Sequence, residues 1–321
     1  MKLAVFSYRT DERAYFDKFV KQYNVDAVYT KEAPTLETVS CAKGCDCISI
    51  ITTKVDAQLL EKLKELGVKF VSTRTIGYDH IDIDYAHKIG IGVGNVTYSP
   101  NSVAEYTVML ILMANRKVKH ILERSIGQDY SLKGMQGKEL RNQTVGVIGT
   151  GRIGETVIKN LSGFGSKIMA YDLYEKDSVK EMATYVDLDK LFRESDVITM
   201  HTPLTAENHH LINAENIAKM KTGVVIINTA RGALIDTTAF INAIESGKIG
   251  AAALDVIENE TDVFYRDFKY TPIPNREFAI LKSFPNVTVM PHTAFYTDQA
   301  VSDMVENSIR SCIENCELVN K

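Results

Sequence analysis

Short apolar runs alternate with helical patterns along the first hundred residues of this chain. Runs rich in β-branched and aromatic residues predict strands over residues 2–7, 47–52, 70–73 and 92–96. Between them, residues 57–66 and 84–89 carry apolar side chains at helical spacing. Because strands that alternate with helices are typical of βαβ units, this region is predicted to form a parallel sheet flanked by helices.

A second series of strands and helices begins near residue 145. The sequence Tyr98-Ser99-Pro100-Asn101 ends the first series, because a proline disfavours helical geometry in the residue before it. A strongly apolar helix is then predicted over residues 103–122. Six further strands are predicted at residues 145–148, 168–171, 197–201, 224–228, 251–256 and 287–290. Six is the number of strands in a complete dinucleotide-binding sheet.

The two series predict an α/β protein with two doubly wound, parallel-sheet domains of Rossmann-like or flavodoxin-like type and a cleft between them. We assign residues 100–297 to the nucleotide-binding domain. Residues 298–316 have the pattern of one amphipathic helix, which is too short to form a domain. We expect it to pack on the first domain, which would be discontinuous and comprise residues 1–99 and 298–321.

Composition narrows the classes of function. With 24% charged residues and a net charge of -4, nothing indicates a nucleic-acid or membrane partner. The first residues form too short an apolar run for a signal peptide, and the longest apolar segment, residues 108–114, is far below the roughly 20 residues of a spanning helix. We therefore expect a cytoplasmic protein. The five cysteines lack the spacing of a zinc site, so packed, reduced thiols are expected and no metal is predicted.

Three glycines stand between the predicted strand 145–148 and the helical pattern that follows it. Alone, the spacing of Gly149, Gly151 and Gly154 is a weak signal that also occurs in plain turns. A buried strand before it and a helix after it favour a phosphate-binding turn, because a helix N-terminus attracts a pyrophosphate. Gly149 would permit the tight turn, Gly151 the approach of backbone to phosphate, and Gly154 the contact between helix and strand.

An acidic residue ends the next predicted strand. Asp172 lies eighteen residues beyond Gly154, where an acceptor for the ribose hydroxyls is expected in a dinucleotide site. A carboxylate there, followed by Leu173 rather than a basic residue, would repel a 2′-phosphate. The sequence therefore favours NAD over NADP, although a solvated acid at a strand end would give the same pattern.

Polar side chains follow three later strands of the same predicted sheet. Arg231 follows strand 224–228, Glu260 follows strand 251–256 and His292 follows strand 287–290. Singly, they could be a loop cap, a solvated acid and a loop histidine. Together they lie at the edge of the sheet where ligands of such sheets bind. An arginine guanidinium can bind a carboxylate through two hydrogen bonds, and a histidine can exchange a proton with a carbonyl or hydroxyl oxygen. A carboxylate beside that histidine would favour the imidazolium form.

These segments resemble the NAD-dependent D-2-hydroxyacid dehydrogenases over nearly the full chain. The matching motifs are GTGRIG with Asp172, NTARGALID, ALDV with Glu260, and PHTAFYT, in that family's order and spacing. TRTIGYDHID and NVTYSPNSVAEYT match its substrate-loop and hinge segments. Within the family, YSPNSVAEYTVMLILMA and MPHTAFYTDQA are similar to the D-lactate dehydrogenase branch, in particular to the enzymes of vancomycin-resistance operons.

The resemblance implies roles for individual residues. Arg231 would bind the carboxylate of a 2-oxoacid together with backbone amides around Ile76 and Gly77, and His292, supported by Glu260, would protonate the carbonyl. The residues implied for the NAD site are Gly149, Gly151, Arg152, Ile153, Gly154, Asp172, His201, Thr202, Pro203, Thr229, Ala230, Asp255 and Val103. Among them, Asp255 would orient the nicotinamide carboxamide. The family is usually dimeric through the apolar helix, here near residues 102–122, so a homodimer is expected.

The residues expected to border the substrate are Tyr98, Phe295 and Tyr296, with Tyr8 and Thr52 as weaker candidates. Aromatic bulk would leave space for little more than a methyl group, so NADH-dependent reduction of pyruvate to D-lactate is the leading hypothesis. These aromatics could instead be ordinary core. The segment ISIITTKVDA approaches the form found in enzymes for longer oxoacids, so a D-2-hydroxyisocaproate or aryl-lactate dehydrogenase is the alternative. NADH-sensing corepressors share the fold and represent a different class.

Overall fold

The computed structural model describes residues 1–319, except for the side chains of residues 262 and 317–319. The chain divides into two compact units. One comprises Met1–Ser99 and the chain from Tyr296 onward, and the other comprises Pro100–Phe295. Among the described residues, no helix combines the length and the hydropathy that crossing a bilayer requires.

The first unit is built on a five-stranded parallel sheet. Its strands are β1 Lys2–Val5, β2 Asp26–Tyr29, β3 Cys47–Ile50, β4 Phe70–Thr73 and β5 Gly92–Gly94. Its helices are α1 Arg13–Gln22, α2 Ala57–Glu65, α3 Ile83–Ile89 and, from the end of the chain, α12 Asp298–Val319. The strand order β2-β1-β3-β4-β5 is flavodoxin-like and reverses between β1 and β3. In such sheets, ligands bind outside the carboxyl ends of the strands at that reversal.

Helix α12 completes the core of the first unit. Val305 and Ile309 are buried against β1, α1 and β4. On the same face, the Ser308 hydroxyl lies 2.6 Å from that of Ser49 and 2.9 Å from that of Ser72. These buried hydroxyls satisfy one another, so the helix can cover two strands without leaving a polar group unpaired.

The second unit is built on a seven-stranded parallel sheet. Its strands are β6 Thr144–Ile148, β7 Lys167–Tyr171, β8 Thr184–Tyr185, β9 Val197–Met200, β10 Val224–Asn228, β11 Ile249–Leu254 and β12 Val287–Val289. Its helices are α4 Asn101–Asn115, α5 Val118–Ile126, α6 Arg152–Ser162, α7 Asp177–Lys180, α8 Leu188–Glu194, α9 Ala214–Lys219, α10 Thr237–Glu245 and α11 Arg276–Ser283. The order β12-β11-β10-β9-β6-β7-β8 is the Rossmann order extended by one strand, with its reversal between β6 and β9.

The predicted fold class, two doubly wound parallel-sheet units, is confirmed. The sequence patterns did not predict two of the observed strands, β2 and β8. Strand β2 is an edge strand that begins with an exposed aspartate, and β8 is only two residues long, so neither has a buried apolar run. Several predicted strands also end earlier than expected, as β1 does at Val5, because apolar residues continue into the loop beyond the ladder.

The helix predicted over residues 103–122 is in fact two helices. Helix α4 ends at Asn115, and Lys117, the N-cap of α5, is left-handed with φ +53°. The amide of Lys138 donates to the carbonyl of Asn115 at 3.1 Å, which removes that acceptor from any continuing helix. The apolar periodicity could not reveal this break, because α5 continues with apolar residues.

Candidate active site

The glycine turn follows β6, at the reversal of strand order in the second sheet. Gly149 has φ +91°, and a Cβ at this position would lie 2.6 Å from the carbonyl oxygen of His201. A Cβ on Gly154 would overlap the carbonyl oxygen of Gly149. Both positions therefore require glycine, the first for its left-handed backbone and both for the close approach of β6, α6 and β9.

The N-terminus of α6 supplies donors for an anion. Gly151 is the N-cap of this helix, and a Cβ there would meet open space. Arg152 and Ile153 form the first turn, where the positive end of the helix dipole favours an anion. This cradle suits a pyrophosphate, so the turn fits the predicted dinucleotide.

Asp172 is held at the end of β7 by the same turn. One carboxylate oxygen accepts from the amide and the hydroxyl of Thr150 at 2.6 and 3.1 Å, and the other accepts from the amide of Tyr174 at 3.1 Å. Burial raises the pKa of Asp172, but these hydrogen bonds outweigh it and the net pKa is lowered. The side chain is therefore an oriented carboxylate at neutral pH, as recognition of a ribose by NAD-dependent enzymes requires.

His201 lies across the strand reversal from Gly149. Its Nε2 is 3.0 Å from the hydroxyl of Thr199. The residue is half-buried, but Nδ1 is buried and has no hydrogen-bond partner among the described residues. Burial lowers the pKa of His201 to about 3, so the ring is neutral. Thr202 and Pro203 follow it, and the Asn208 amide donates to the Pro203 carbonyl at 2.7 Å.

The loop after β10 carries Arg231. Asn228, the buried last residue of the strand, accepts from the amide of Ala230 at 3.0 Å and donates to the carbonyl of Arg231 at 2.8 Å. The guanidinium of Arg231 itself donates to the carbonyl of Ala230 at 2.8 Å. One buried amide side chain thus fixes the turn from which the half-buried Arg231 projects.

His292 and Glu260 form a direct pair. Nδ1 of His292 is 2.6 Å from Oε1 of Glu260, and both side chains are one-quarter exposed. The second carboxylate oxygen of Glu260 accepts from the amide of Ile257 at 3.1 Å, which orients the carboxylate. Because Nδ1 faces the glutamate, proton exchange with a substrate would use Nε2.

The backbone at His292 is left-handed, with φ +51°, an uncommon conformation for a residue other than glycine. It is held on both sides: its amide donates to the carbonyl of Asp255 at 2.9 Å, and its carbonyl accepts from the hydroxyl of Tyr265 at 2.8 Å. No sequence pattern indicates the Tyr265 contact, because the two residues lie on different loops.

Asp255 has a structural role beside the one implied by the resemblance. It is fully buried, and its two carboxylate oxygens accept from the amides of Thr293 and Ala294 at 2.9 Å each. Burial raises the pKa of Asp255 despite these bonds. The residue fixes the loop that carries His292, and its contact with the nicotinamide carboxamide stays a prediction.

Helix α4 is attached to two loops of the site. The Thr107 hydroxyl donates to the carbonyl of Val103 at 2.8 Å and lies 2.9 Å from the hydroxyl of Thr229. One residue earlier, the Tyr106 hydroxyl lies 3.0 Å from that of Thr293. The predicted residues Val103 and Thr229 are therefore joined through a threonine that the sequence analysis did not single out.

The predicted substrate loop of the first unit rests on a buried ion pair. Arg74 and Glu12 are both fully buried, with Nε of the arginine 2.9 Å from Oε1 of the glutamate. The guanidinium also donates to the Ser49 hydroxyl at 2.9 Å and to the carbonyl of Phe6 at 3.1 Å. Arg74 thus ties together the ends of β1, β3 and β4. Its burial carried no sequence signal, because arginine is usually exposed.

The turn containing Ile76 and Gly77 has its carbonyl groups fixed by side chains. Asn95 donates to the carbonyl of Ile76 at 2.6 Å, and Thr75 donates to that of Gly77 at 2.5 Å. These bonds orient the peptide groups of the turn. The predicted role of the amides, carboxylate binding, remains a prediction.

The predicted pocket residues divide between the units. In the first unit, Tyr8 and Thr52 follow β1 and β3 at the strand reversal, and Tyr8 packs on Phe16 and Tyr29 with ring centroids 5.8 and 4.9 Å apart. Tyr98 is half-buried, whereas Tyr296 is exposed beneath the Arg9 guanidinium, 5.6 Å from its ring centroid.

In the second unit, Phe295 meets His292 edge to face, with centroids 6.2 Å apart. An aromatic ring beside the imidazole restricts the orientation of that imidazole. The contact is compatible with a place at the site, and the predicted role of Phe295 in substrate binding stays a prediction.

Comparison with known proteins identifies the family of this arrangement. Residues 108–294 match the NAD-binding domain of the D-isomer-specific 2-hydroxyacid dehydrogenases. An aromatic 2-oxoacid reductase of Clostridium sporogenes is 46% identical over 98% of this chain and 96% of its own. A D-specific alpha-keto acid dehydrogenase of Enterococcus faecium is 42% identical over 97% and 96%. The crystal structure of a D-lactate dehydrogenase from Treponema pallidum superposes with a TM-score of 0.89 at 35% identity, covering 100% of this chain and 98% of that one.

Proposed function

This chain belongs to the D-isomer-specific 2-hydroxyacid dehydrogenases, and from that membership we propose that it reduces pyruvate to D-lactate with NADH, reversibly. The observation that carries the chemistry is the 2.6 Å contact between His292 and Glu260 at the carboxyl edge of a nucleotide-binding sheet. An oriented histidine–carboxylate pair is what protonation of a ketone oxygen requires.

NAD is the cofactor of this family, and the residues at the strand reversal fit it. Gly149 and Gly154 permit the close approach of the strands and the helix around the turn, Gly151 faces the open space that a pyrophosphate needs, and Asp172 offers an ionised acceptor to the ribose. When bound in the reduced form, the cofactor supplies the hydride.

Side chains of this protein carry out substrate binding and proton transfer. Arg231 binds the substrate carboxylate, with each charge-assisted hydrogen bond contributing about 1.5–3 kcal/mol. His292 delivers a proton from Nε2 to the carbonyl oxygen, and Glu260 orients the ring through its contact with Nδ1. In the oxidative direction, His292 accepts the hydroxyl proton.

An oxoacid with an aromatic side chain is the second candidate substrate. The Clostridium sporogenes relative is named for aromatic 2-oxoacids and is 46% identical to this chain over 319 aligned residues. Thr52, predicted to border the substrate, is a small, exposed residue. In contrast, similarity to D-lactate dehydrogenases and the bulk of Tyr98 support pyruvate.

Steady-state kinetics with NADH separates these candidates. We expect measurable kcat/KM for pyruvate, 2-oxoisocaproate and phenylpyruvate, with only the D-hydroxyacid found on chiral analysis. Because an apolar pocket discriminates by about 1–3 kcal/mol per methylene, pyruvate can be preferred without being exclusive. A kcat/KM at least tenfold higher for phenylpyruvate than for pyruvate would show that the preferred substrates are aromatic 2-oxoacids. NADH binding without turnover of any oxoacid would favour a sensor.

A further inference from the structure

Two adjacent histidines and a glutamate lie together outside the residues assigned to the reaction. His209 and His210 follow β9, and Glu258 follows β11. Their potential metal-ligand atoms all lie within 4.8 Å of one another. Nε2 of His210 is 2.8 Å from Oε1 of Glu258, and the two imidazole rings have centroids 3.9 Å apart.

Hydrogen bonds from Thr237 orient the carboxylate of Glu258 in this cluster. Oε2 of Glu258 accepts from the amide of Thr237 at 3.0 Å and also from the hydroxyl of the same residue. Oε1 therefore points to His210, and the side chain does not need to reorganise to receive a ligand. Partners of this kind orient the ligating groups in metal sites and raise their affinity.

The imidazoles are also held in place. The amide of His210 donates to the carbonyl of Ala233 at 2.9 Å, and the residue is left-handed with φ +55°. Because the backbone is fixed there, the ring of His210 is presented to Glu258 by the fold. His209 is exposed, and its ring lies beside that of His210 at an interplanar angle of 30°, so a cation from solvent can reach this side of the cluster.

We propose that His209, His210 and Glu258 bind one late first-row divalent cation, with Zn²⁺ as the representative of the class. Two imidazole nitrogens and one carboxylate oxygen form the donor set that such cations prefer over Mg²⁺ or Ca²⁺. Metal–ligand bonds of about 2.0–2.1 Å require the three donors, which now lie within 4.8 Å of one another, to converge around one ion, with the cation taking the place of the His210–Glu258 hydrogen bond. Water completes the coordination, and binding releases any proton held on the imidazoles.

Zn²⁺ titration by calorimetry tests the site. The protein carries Cys41→Ser, because Cys41 is the exposed thiol among the described cysteines and would bind Zn²⁺ itself. We expect one Zn²⁺ per chain and a loss of affinity of about tenfold or more in His209→Gln and in His210→Gln, since loss of an outer partner alone costs about that much. His87→Gln, an exposed histidine on α3, is the matched control and should leave the affinity unchanged.

His209→Gln is the decisive variant because it leaves the His210–Glu258 hydrogen bond intact. If it binds Zn²⁺ as tightly as the parent, the proposal is wrong and the pair only anchors a loop. Loss of binding in His292→Ala, with no loss in His209→Gln, would place the metal at the reaction site instead. Substitution of Co²⁺ for Zn²⁺ gives a second readout: absorption bands of a four-coordinate ion that disappear in His209→Gln support the site.

Discussion

At the scale of single residues, the reaction site depends on backbone held in uncommon conformations. His292 is left-handed, and its peptide groups are fixed by the carbonyl of Asp255 and the hydroxyl of Tyr265. Gly149 is also left-handed, and only glycine fits there against the backbone of His201. A strained backbone such as that of His292 persists only when the surrounding structure holds it in place, and such residues are common at functional sites.

Replacing His292 with Ala is expected to lower kcat by about 10²–10⁴-fold, because the proton donor to the substrate oxygen is lost. The Kd for NADH, measured by fluorescence titration, should change little. Glu260→Gln should lower kcat less, because the imidazole remains but loses the carboxylate that orients it through Nδ1. His87→Ala, on the first unit, serves as control. Normal turnover in His292→Ala would exclude the proton-donor role.

Replacing Asp172 with Ala should reduce discrimination against NADPH. The carboxylate that repels a 2′-phosphate is removed, and we expect the ratio of kcat/KM for NADH over NADPH to fall by about tenfold, equivalent to about 1.4 kcal/mol. Asp177→Ala, which removes an exposed carboxylate on α7, is the control. An unchanged ratio would show that Asp172 does not select the cofactor.

At the scale of elements, loops from separate strands are fixed by a few buried polar groups. Helix α4 binds the loops after β10 and β12 through the hydroxyls of Thr107 and Tyr106. In the first unit, Arg74 joins the ends of three strands. In both arrangements, polar side chains occupy partly or fully buried positions, where the alternation of apolar and polar residues in the sequence would predict apolar side chains.

Arg74→Met tests the buried pair. Removing Arg74 takes away the nearer countercharge of the buried Glu12 carboxylate and leaves it only Arg9, whose Nη2 is 3.6 Å from Oε1. The free energy of unfolding should therefore fall by up to about 3–5 kcal/mol. Adding Glu12→Leu to Arg74→Met should recover part of this loss, because the buried carboxylate is then absent. Urea unfolding followed by circular dichroism measures both.

The matched control for Arg74→Met is Arg13→Ala. It breaks an exposed pair with Asp17 and should change the free energy of unfolding by no more than about 0.5 kcal/mol. A loss as small as this in Arg74→Met itself would contradict the structural importance of the buried pair.

At the scale of the whole molecule, each sheet has one reversal of strand order. The glycine turn and His201 follow the strands on either side of the reversal in the second sheet, and Tyr8 and Thr52 follow those in the first. The second unit exposes large apolar side chains at several places, one of which is the stretch between residues 122 and 132. Leu122 is 57% exposed, Ile126 85% and Leu132 87%. Apolar exposure concentrated in this way is typical of an interaction surface.

We propose that this stretch contributes to a homodimer interface. Light scattering after size-exclusion chromatography should give twice the mass of one chain. The double variant Ile126→Asp/Leu132→Asp should shift the mass toward the monomer, because charge is placed where apolar surface would be buried. Leu36→Asp, an exposed apolar position in the first unit, is the control. A parent protein that is monomeric at all concentrations would refute the proposal.

The sequence by itself determined the fold class, the glycine turn, Asp172 and the pairing of a histidine with a glutamate. Those features follow from local periodicity and from residues that come directly after strands, where topology brings side chains to one edge. The tertiary structure alone decided that α4 ends at Asn115, that Arg74 is buried with Glu12, and that Asp255 holds the loop of His292. Each of these depends on hydrogen bonds between residues far apart in the chain, and no local pattern of apolar and polar positions encodes such a partner.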